Sequence, residues 1–239
     1  MTATPESFDH DEPHRAGMAG RLNRLRAGVL GANDGIVSTA GIVIGVAGAT
    51  NQTVPIVTAG IAGLSAGAMS MAVGEFVSVS SQRDSERALL AKERRELRET
   101  PDEELAELVG MYAAKGLTPE VAQSVAEQLT AVDALAAHAE VELGIDPNAL
   151  AHPGHAAWAS FLSFVVGALL PLLAIAFAPT RIRVVFTVVA VALALMLTGV
   201  VSARLGQAHW LRPVLRNVLG GLLAMAVTYG IGTLVGRAI

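Results

Sequence analysis

Two carboxylates lie within stretches that are otherwise apolar, and they are the first residues of this sequence that could do chemistry. Asp34 lies in a segment from about Ala27 to Ala49, and Glu75 in one from about Val54 to Ser80. A carboxylate at membrane depth costs a few kcal/mol or more, so it tends to face a bundle interior and to have a function. Met71 precedes Glu75 by four residues and so shares its helix face. A carboxylate with a thioether suits a borderline divalent transition metal better than Mg²⁺ or Ca²⁺.

The same three residues also have simpler interpretations that involve no metal. Either acid would be hydrated and idle if it lay near the membrane surface, and Met71 would then serve only in packing. If the acids are buried, metal and proton compete for them, because burial raises a carboxylate's pKa and a bound dication lowers it. This competition is the minimal requirement for exchanging a metal ion against protons.

A second group of candidate ligands lies in a charged stretch further along the chain. The pairs are Glu93 and Glu96, Glu104 and Glu107, and His138 and Glu142. Members of each pair are three or four residues apart, so each pair shares one helix face. The pattern predicts that three helices converge on more than one divalent ion, with an ordinary solvated charged face as the alternative for each pair. The histidines of His152-Pro153-Gly154-His155 indicate either a turn at the membrane surface or a metal-transfer site.

Composition separates the chain into an aqueous part and a lipid part. Hydrophobic residues make up 52%, charged residues only 16%, and mean hydropathy is +0.51, whereas soluble domains carry about a quarter charged residues. Five stretches reach the roughly 20 apolar residues that a spanning helix needs. They are 27–49, 54–80, 156–178, 182–203 and 214–234. We therefore predict an all-α, polytopic membrane protein with five transmembrane helices.

The domain plan follows from the same division. We expect a disordered cytoplasmic tail over 1–20, the first two transmembrane helices over 21–81, a three-helix cytoplasmic metal-binding domain over 82–152, and the last three transmembrane helices over 153–239. Thr100-Pro101-Asp102-Glu103 predicts a capping box at the start of one inserted helix. Val121, Val125, Leu129, Val132 and Leu135 predict the apolar stripe of the next.

Basic residues in the flanks of the spans predict the orientation. Arginines precede the first span, follow the second and surround the link between the fourth and fifth, which places the N-terminus and the charged block in the cytoplasm. Arg181 and Arg183 then face outward, against the rule. A multi-pass protein of a bacterial plasma membrane is the expected localisation. The net charge of −4 argues against a nucleic-acid partner, and the absence of cysteine excludes thiolate metal sites.

Glycines recur along the first two spans and predict close helix packing. Small residues let helix backbones approach in lipid, where packing replaces the hydrophobic drive. We predict that the glycine faces, Gly63 and Gly67 among them, join two copies in an obligate homodimer.

Three runs of sequence resemble the vacuolar iron transporter family. They are Arg26-Ala-Gly-Val-Leu-Gly-Ala-Asn-Asp34-Gly35, Ala68-Met-Ser-Met71-Ala-Val-Gly-Glu75 continuing to Gln82, and the glutamates of the charged block with Glu140-Val-Glu142-Leu-Gly144. The resemblance covers nearly the whole chain and implies a homodimer that exchanges cytoplasmic Fe²⁺ for protons. It also implies that Asp34, Met71 and Glu75 line the ion path and that Glu93, Glu96, Glu104, Glu107 and Glu142 bind metal in the cytoplasm.

One departure bears on the choice of metal. Eukaryotic members carry adjacent methionines where this chain has His138 and Ala139. Imidazole still favours iron, manganese or zinc, so we expect Fe²⁺ or Mn²⁺, with Zn²⁺ as a further candidate, as bound cargo without a resident cofactor.

Three other functions remain to be weighed. Manganese export would use the same ligands. A membrane-tethered metal buffer or sensor would make Asp34 and Glu75 dispensable, which their position in apolar spans argues against. An intramembrane aspartyl hydrolase needs two opposed aspartates, and the predicted spans hold one, so we do not expect an enzyme.

Overall fold

The computed structural model describes residues 15–207 and 209–238, with side chains from residue 28 onward. Within these residues the chain forms seven α-helices, one π-helical turn and no strand, which confirms the all-α prediction. The helices are α1 (Arg15–Ala49), α2 (Thr53–Glu99), α3 (Pro101–Ala114), α4 (Pro119–His138), α5 (Pro153–Phe177), α6 (Arg183–Leu205) and α7 (Leu211–Ala238), and the π-helical turn is Ala139–Leu143. Of the predicted disordered tail, residues 15–20 are helical, and residues 1–14 lie outside the described residues.

Five of these helices are long and apolar enough to cross a membrane, as predicted. They are α1 from Gly28 onward, α2, α5, α6 and α7, so the chain is a multi-pass membrane protein. The 47 residues of α2 extend about 70 Å at 1.5 Å per residue, whereas a hydrocarbon core is about 30 Å thick. Its charged second part, from about Gln82 to Glu99, therefore lies outside the membrane-spanning segment.

The chain divides into two compact units. The first contains the described residues up to Val73 together with those from Ala157 onward, and the second is Gly74–Ala156. Helix α1 lies at the centre of the first unit, because its apolar side chains are buried against α2, α5, α6 and α7. The buried members are Ile36, Ala40, Val43, Ile44, Ala47, Ile56, Leu172, Ile175, Val191, Leu195 and Met225.

The glycines of α1 and α2 are used within one protomer. A Cβ on Gly35 would collide with the backbone of α5 at Phe164, and one on Gly67 would enter the Phe164 ring. A Cβ on Gly63 would collide with Ile42 of α1. The expectation that Gly63 and Gly67 form a dimer face is therefore wrong, because the helices of the same chain already occupy both positions.

Arg183 has a structural role at the start of α6. Its guanidinium Nη2 donates to the Thr53 hydroxyl at 3.1 Å and to the Thr180 hydroxyl at 2.7 Å, and the residue is buried. It joins the first residue of α2 to the start of α6. Helix packing therefore explains why an arginine occupies this position, which the orientation rule disfavours.

In the second unit, α3 packs against α4 mainly through small side chains. Leu108 is buried against Ala126 and Ala137. The predicted stripe of α4 is wrong in part, because Val121, Leu129 and Val132 are exposed, Val132 by 86%. The inward positions hold alanine instead, which lets the two helices approach closely.

Two helix starts also differ from prediction. Thr100 makes no side-chain cap, and its hydroxyl donates to the Glu96 carbonyl at 3.3 Å. Asp133, inside α4, has extended backbone angles (φ −160°, ψ 98°), and its carboxylate accepts the Ala136 N–H at 2.9 Å. Because an aspartate cap begins a new helical segment, the apolar period of α4 does not continue through this point.

Candidate metal-binding site

Three predicted carboxylate ligands surround the imidazole of a fourth predicted ligand, His138, in the Gly74–Ala156 unit. His138 Nδ1 lies 3.0 Å from Glu93 Oε1, 3.7 Å from Glu104 Oε2 and 4.0 Å from Glu142 Oε2. Glu93 belongs to α2, Glu104 to α3, His138 to the end of α4 and Glu142 to the π-helical turn. Each element thus contributes one ligand.

The inner atoms of this cluster are buried and lack hydrogen-bond partners. The side chains of His138 and Glu93 are 0% and 3% exposed, that of Glu104 10% and that of Glu142 28%. Glu93 Oε1 and both ring nitrogens of His138 have no hydrogen-bond partner among the described residues. Nearly all buried polar atoms in folded proteins have a hydrogen-bond partner, so these three buried atoms need one. A cation on the Nδ1 side of the ring would supply one for Glu93 Oε1 and for His138 Nδ1.

The electrostatics of the cluster also favour a cation. Burial, and then the charges of Glu142 and Glu104, raise the pKa of Glu93 to about 7. Burial also raises the pKa of Glu104, and the charge of Glu107 adds to this shift. Like charges so close disfavour full ionisation, so the site holds a proton or a metal ion.

The distances fit ligands that share one ion. Two ligand atoms about 2.1 Å from an octahedral ion are about 3.0 Å apart when adjacent and about 4.2 Å when opposite, given bond lengths typical of histidine and carboxylate ligands. The 3.0 Å from His138 to Glu93 matches the adjacent spacing, the 4.0 Å to Glu142 is close to the opposite one, and the 3.7 Å to Glu104 lies between the two. The ligand atoms of Glu93, Glu104 and His138 lie within 4.8 Å of one another.

Two other predicted ligands are not part of this cluster. Glu96 Oε2 accepts from Lys92 Nζ at 2.7 Å, so its carboxylate is already paired. Glu107 is exposed on α3, one turn after Glu104. Both raise the pKa of Glu104 through their charge, so they lie near the site and contribute to its field.

A cavity of about 430 Å³ in the first unit contains two of the three predicted path residues, Asp34 and Met71. Asn33, Arg216 and Asn217 also line it, and sequence reasoning missed all three. The signal was present, because Arg216 and Asn217 are polar residues inside a predicted apolar span, and Asn33 precedes Asp34.

The side chain of Asn33 is held in place from α6. Its amide oxygen accepts from the Thr198 hydroxyl at 3.2 Å. The cavity therefore presents one carboxylate, two amides and a thioether, which can contact a divalent metal, together with the guanidinium of Arg216, which cannot. Glu75, the third predicted path residue, is half-buried one helical turn after Met71 and belongs to the other compact unit.

Comparison with known proteins identifies the family of this chain. The VIT family matches residues 25–233. The chain is 45% identical over 224 residues to the "Vacuolar iron transporter" of Acanthamoeba castellanii, covering 93% of this chain and 82% of that protein. It is 38% identical over 217 residues to "Vacuolar iron transporter homolog 2" of Arabidopsis thaliana, covering 90% and 86%. With "VIT-like transporter 1b" of Glycine max it shares 36% over 219 residues, covering 91% and 79%. The chain therefore belongs to the VIT family, whose members named here are transporters rather than enzymes.

Proposed function

We propose that this protein exports cytoplasmic Fe²⁺, and Mn²⁺ by the same ligands, in exchange for protons. The observation that carries the proposal is the convergence of Glu93, Glu104 and Glu142 on the buried imidazole of His138. The relatives, which are named for iron transport, support iron as cargo.

The ligand chemistry narrows the cargo. Mg²⁺ and Ca²⁺ prefer sites made only of oxygen, whereas an imidazole beside carboxylates suits iron, manganese and zinc. A dication neutralises most of the charge of three carboxylates and satisfies the orphaned nitrogen of His138. The cluster is thus proposed as the cytoplasmic loading site, with the exposed carboxylate of Glu107 attracting the ion from solution.

Proton exchange rests on the same carboxylates. A group with a pKa of about 7, such as Glu93, is half-protonated at neutral pH, so metal binding releases a proton and protonation releases metal. Asp34, Met71 and Glu75 are proposed to line the membrane path, with the cavity around Asp34 as its entrance.

A homodimer remains part of the proposal, but on a different basis from Gly63 and Gly67, which pack within the protomer. One face of α2 carries Ala62, Ala66, Ser70 and Gly74 at four-residue spacing, and all four are exposed. A Cβ on Gly74 would meet no atom within 4 Å. Small residues in this pattern mark faces on which transmembrane helices associate closely, which supports a second copy of α2 as the partner.

Metal uptake by proteoliposomes tests the function. Purified protein is reconstituted, and entry of Fe²⁺ or Mn²⁺ is recorded with an internal fluorescent chelator, with and without a pH gradient. Uptake should accelerate when the lumen is acidic, and the lumen should become more alkaline as metal enters. A protein that binds metal yet moves none under either gradient would be a membrane-tethered buffer or sensor instead. The relative rates for Fe²⁺ and Mn²⁺ decide between iron and manganese as main cargo.

A further inference from the structure

A separate cavity of about 420 Å³ lies in the Gly74–Ala156 unit, where the apolar part of α2 meets its charged part. Arg83 and Arg87 line it one helical turn apart, together with Ser80, Phe76 and His152. None of these residues belongs to the metal cluster or to the cavity around Asp34.

The cavity presents positive charge that the protein leaves unneutralised. Among the described residues, neither Arg83 nor Arg87 forms an ion pair, and Arg83 Nε is buried without a hydrogen-bond partner. Asp84 also lines the cavity, but it is exposed and paired with neither arginine. Two guanidiniums beside His152 repel a metal cation, so the metal-transfer role considered for the histidine pair is not supported. They favour an anion instead.

The surroundings indicate that this anion is attached to an apolar group. A second hollow shares Phe76, Ser80 and Asp84 with the basic cavity. Phe76 and Val77 line its end toward the apolar part of α2, where they are 50% and 59% exposed, and mainly serines and Asp84 line the rest. The two apolar side chains lie toward the membrane-spanning part of α2, while the arginines lie toward its charged part. The order along the helix is therefore apolar, then hydroxyl (Ser80), then basic, which matches acyl chain, glycerol and phosphate at a membrane surface.

We propose that this cavity binds the phosphate of an anionic phospholipid, with the acyl chains against Phe76 and Val77. A guanidinium can donate two parallel hydrogen bonds to a phosphate. A zwitterionic headgroup carries its own cation beside the phosphate, so its net attraction to the two arginines is weaker. The inference requires only that the protein lies in a membrane, so it stands independently of metal transport.

Native mass spectrometry of the full-length protein in detergent tests the proposal, with phosphatidylglycerol and phosphatidylcholine as the added lipids. We expect one phosphatidylglycerol per chain to be retained in preference to phosphatidylcholine. The double variant Arg83→Gln, Arg87→Gln should bind phosphatidylglycerol about thirtyfold more weakly, about fivefold per arginine. The matched control is Arg94→Gln, Arg98→Gln, which removes two exposed arginines at the same spacing from the same helix and should retain the lipid.

Three outcomes would overturn the assignment. They are equal retention of the two lipids, an equal loss in the control variant, and displacement of phosphatidylglycerol by an equal concentration of inorganic phosphate, which would indicate a free-anion site. Circular dichroism and thermal unfolding confirm that each variant is folded. If the double variant does not fold, the single change at the exposed Arg87 provides the same comparison, with about a fivefold loss expected.

Discussion

His138 Nδ1 lies 3.0 Å from Glu93 Oε1, although the two residues are 45 positions apart and neither atom has a hydrogen-bond partner among the described residues. The pair joins the charged part of α2 to the end of α4. A divalent ion bound between the two atoms would contact both of them and give each a partner.

Glu104 and Glu107 should differ sharply in their effect on metal binding. Glu104→Ala removes a buried ligand and should weaken Mn²⁺ binding at least about tenfold, because even outer partners of a metal site cost that much. Glu107→Ala removes an exposed carboxylate and should change the affinity by less than about threefold, through its field alone. Isothermal titration of the whole protein in detergent measures both. Equal effects of the two variants would contradict the arrangement described for α3.

His138 should influence which metal is preferred. His138→Met exchanges imidazole for thioether, which weakens binding of Mn²⁺, a harder ion, more than that of Fe²⁺. We expect the ratio of Fe²⁺ to Mn²⁺ affinity to rise in the variant, with α4 intact by circular dichroism. Anaerobic competition titrations measure the ratio. A ratio that does not change would mean that the imidazole contacts no metal.

Metal binding should depend on pH through Glu93. The raised pKa of about 7 means that the proton must leave before the carboxylate binds metal, so affinity for Mn²⁺ should be about tenfold lower at pH 6 than at pH 8. Binding at pH 6 should release about one proton, detectable with a weakly buffered indicator. In Glu93→Gln this dependence near pH 7 should flatten, although the remaining affinity will be lower.

The same shift has a consequence for stability without metal. Because the folded pKa of Glu93 is raised above its usual value, its contribution is most favourable at low pH and is lost as pH rises through about 7. In chelator, the melting temperature should therefore fall between pH 5 and pH 8, and Glu93→Gln should reduce that fall. A larger fall in the variant than in the parent would contradict this assignment of the raised pKa.

Sequence patterns predicted which side chains come together better than which of them point inward. Glu104 and Glu107 share one broad helix face, and spacing alone cannot say which of them points inward. Packing decides, because Leu108 is buried one turn from Glu104 and fixes the rotation of α3. Similarly, an ion pair with Lys92 keeps the Glu96 carboxylate out of the cluster.

The end of α4 shows a second limit. The sequence predicted one apolar stripe that continues through Asp133. The helix is interrupted at this residue, and a new helical segment begins with the Asp133 side chain as its cap. His138 and Glu142 still share a face, because both follow the break. The five spans were predictable, since about 20 apolar residues in lipid have few alternatives to a helix.

The membrane path should depend on Asp34 without affecting loading. Asp34→Asn keeps the size of the side chain and removes its charge, so Fe²⁺ uptake by proteoliposomes should fall to background. Metal binding by the Glu93 cluster should remain, since Asp34 belongs to the other compact unit. Asn33→Asp, Asp34→Asn restores one carboxylate at the neighbouring position and should not restore uptake. Full uptake by Asp34→Asn would remove this residue from the path.

Our last prediction separates the packing glycines of α2 from the proposed dimer face. Gly67→Leu places a side chain in the space of the Phe164 ring, and overpacking of this kind costs about 1–3 kcal/mol. It should lower the melting temperature of the protomer. Ser70→Leu lies on the exposed face of the same helix, so the protomer should fold normally while close approach of a second α2 is blocked.

Light scattering in detergent distinguishes the two variants. We expect Ser70→Leu to run as a folded monomer, and Gly67→Leu to be less stable in whatever oligomeric state it retains. Ser65→Leu makes the same change at another exposed residue of α2, about 140° around the helix from Ser70, so it serves as control and should stay dimeric. A parent protein that is monomeric and fully active would exclude the dimer altogether. A dimeric Ser70→Leu with normal stability would place the interface on another helix, because a leucine cannot fit between two helices that meet at alanine, serine and glycine.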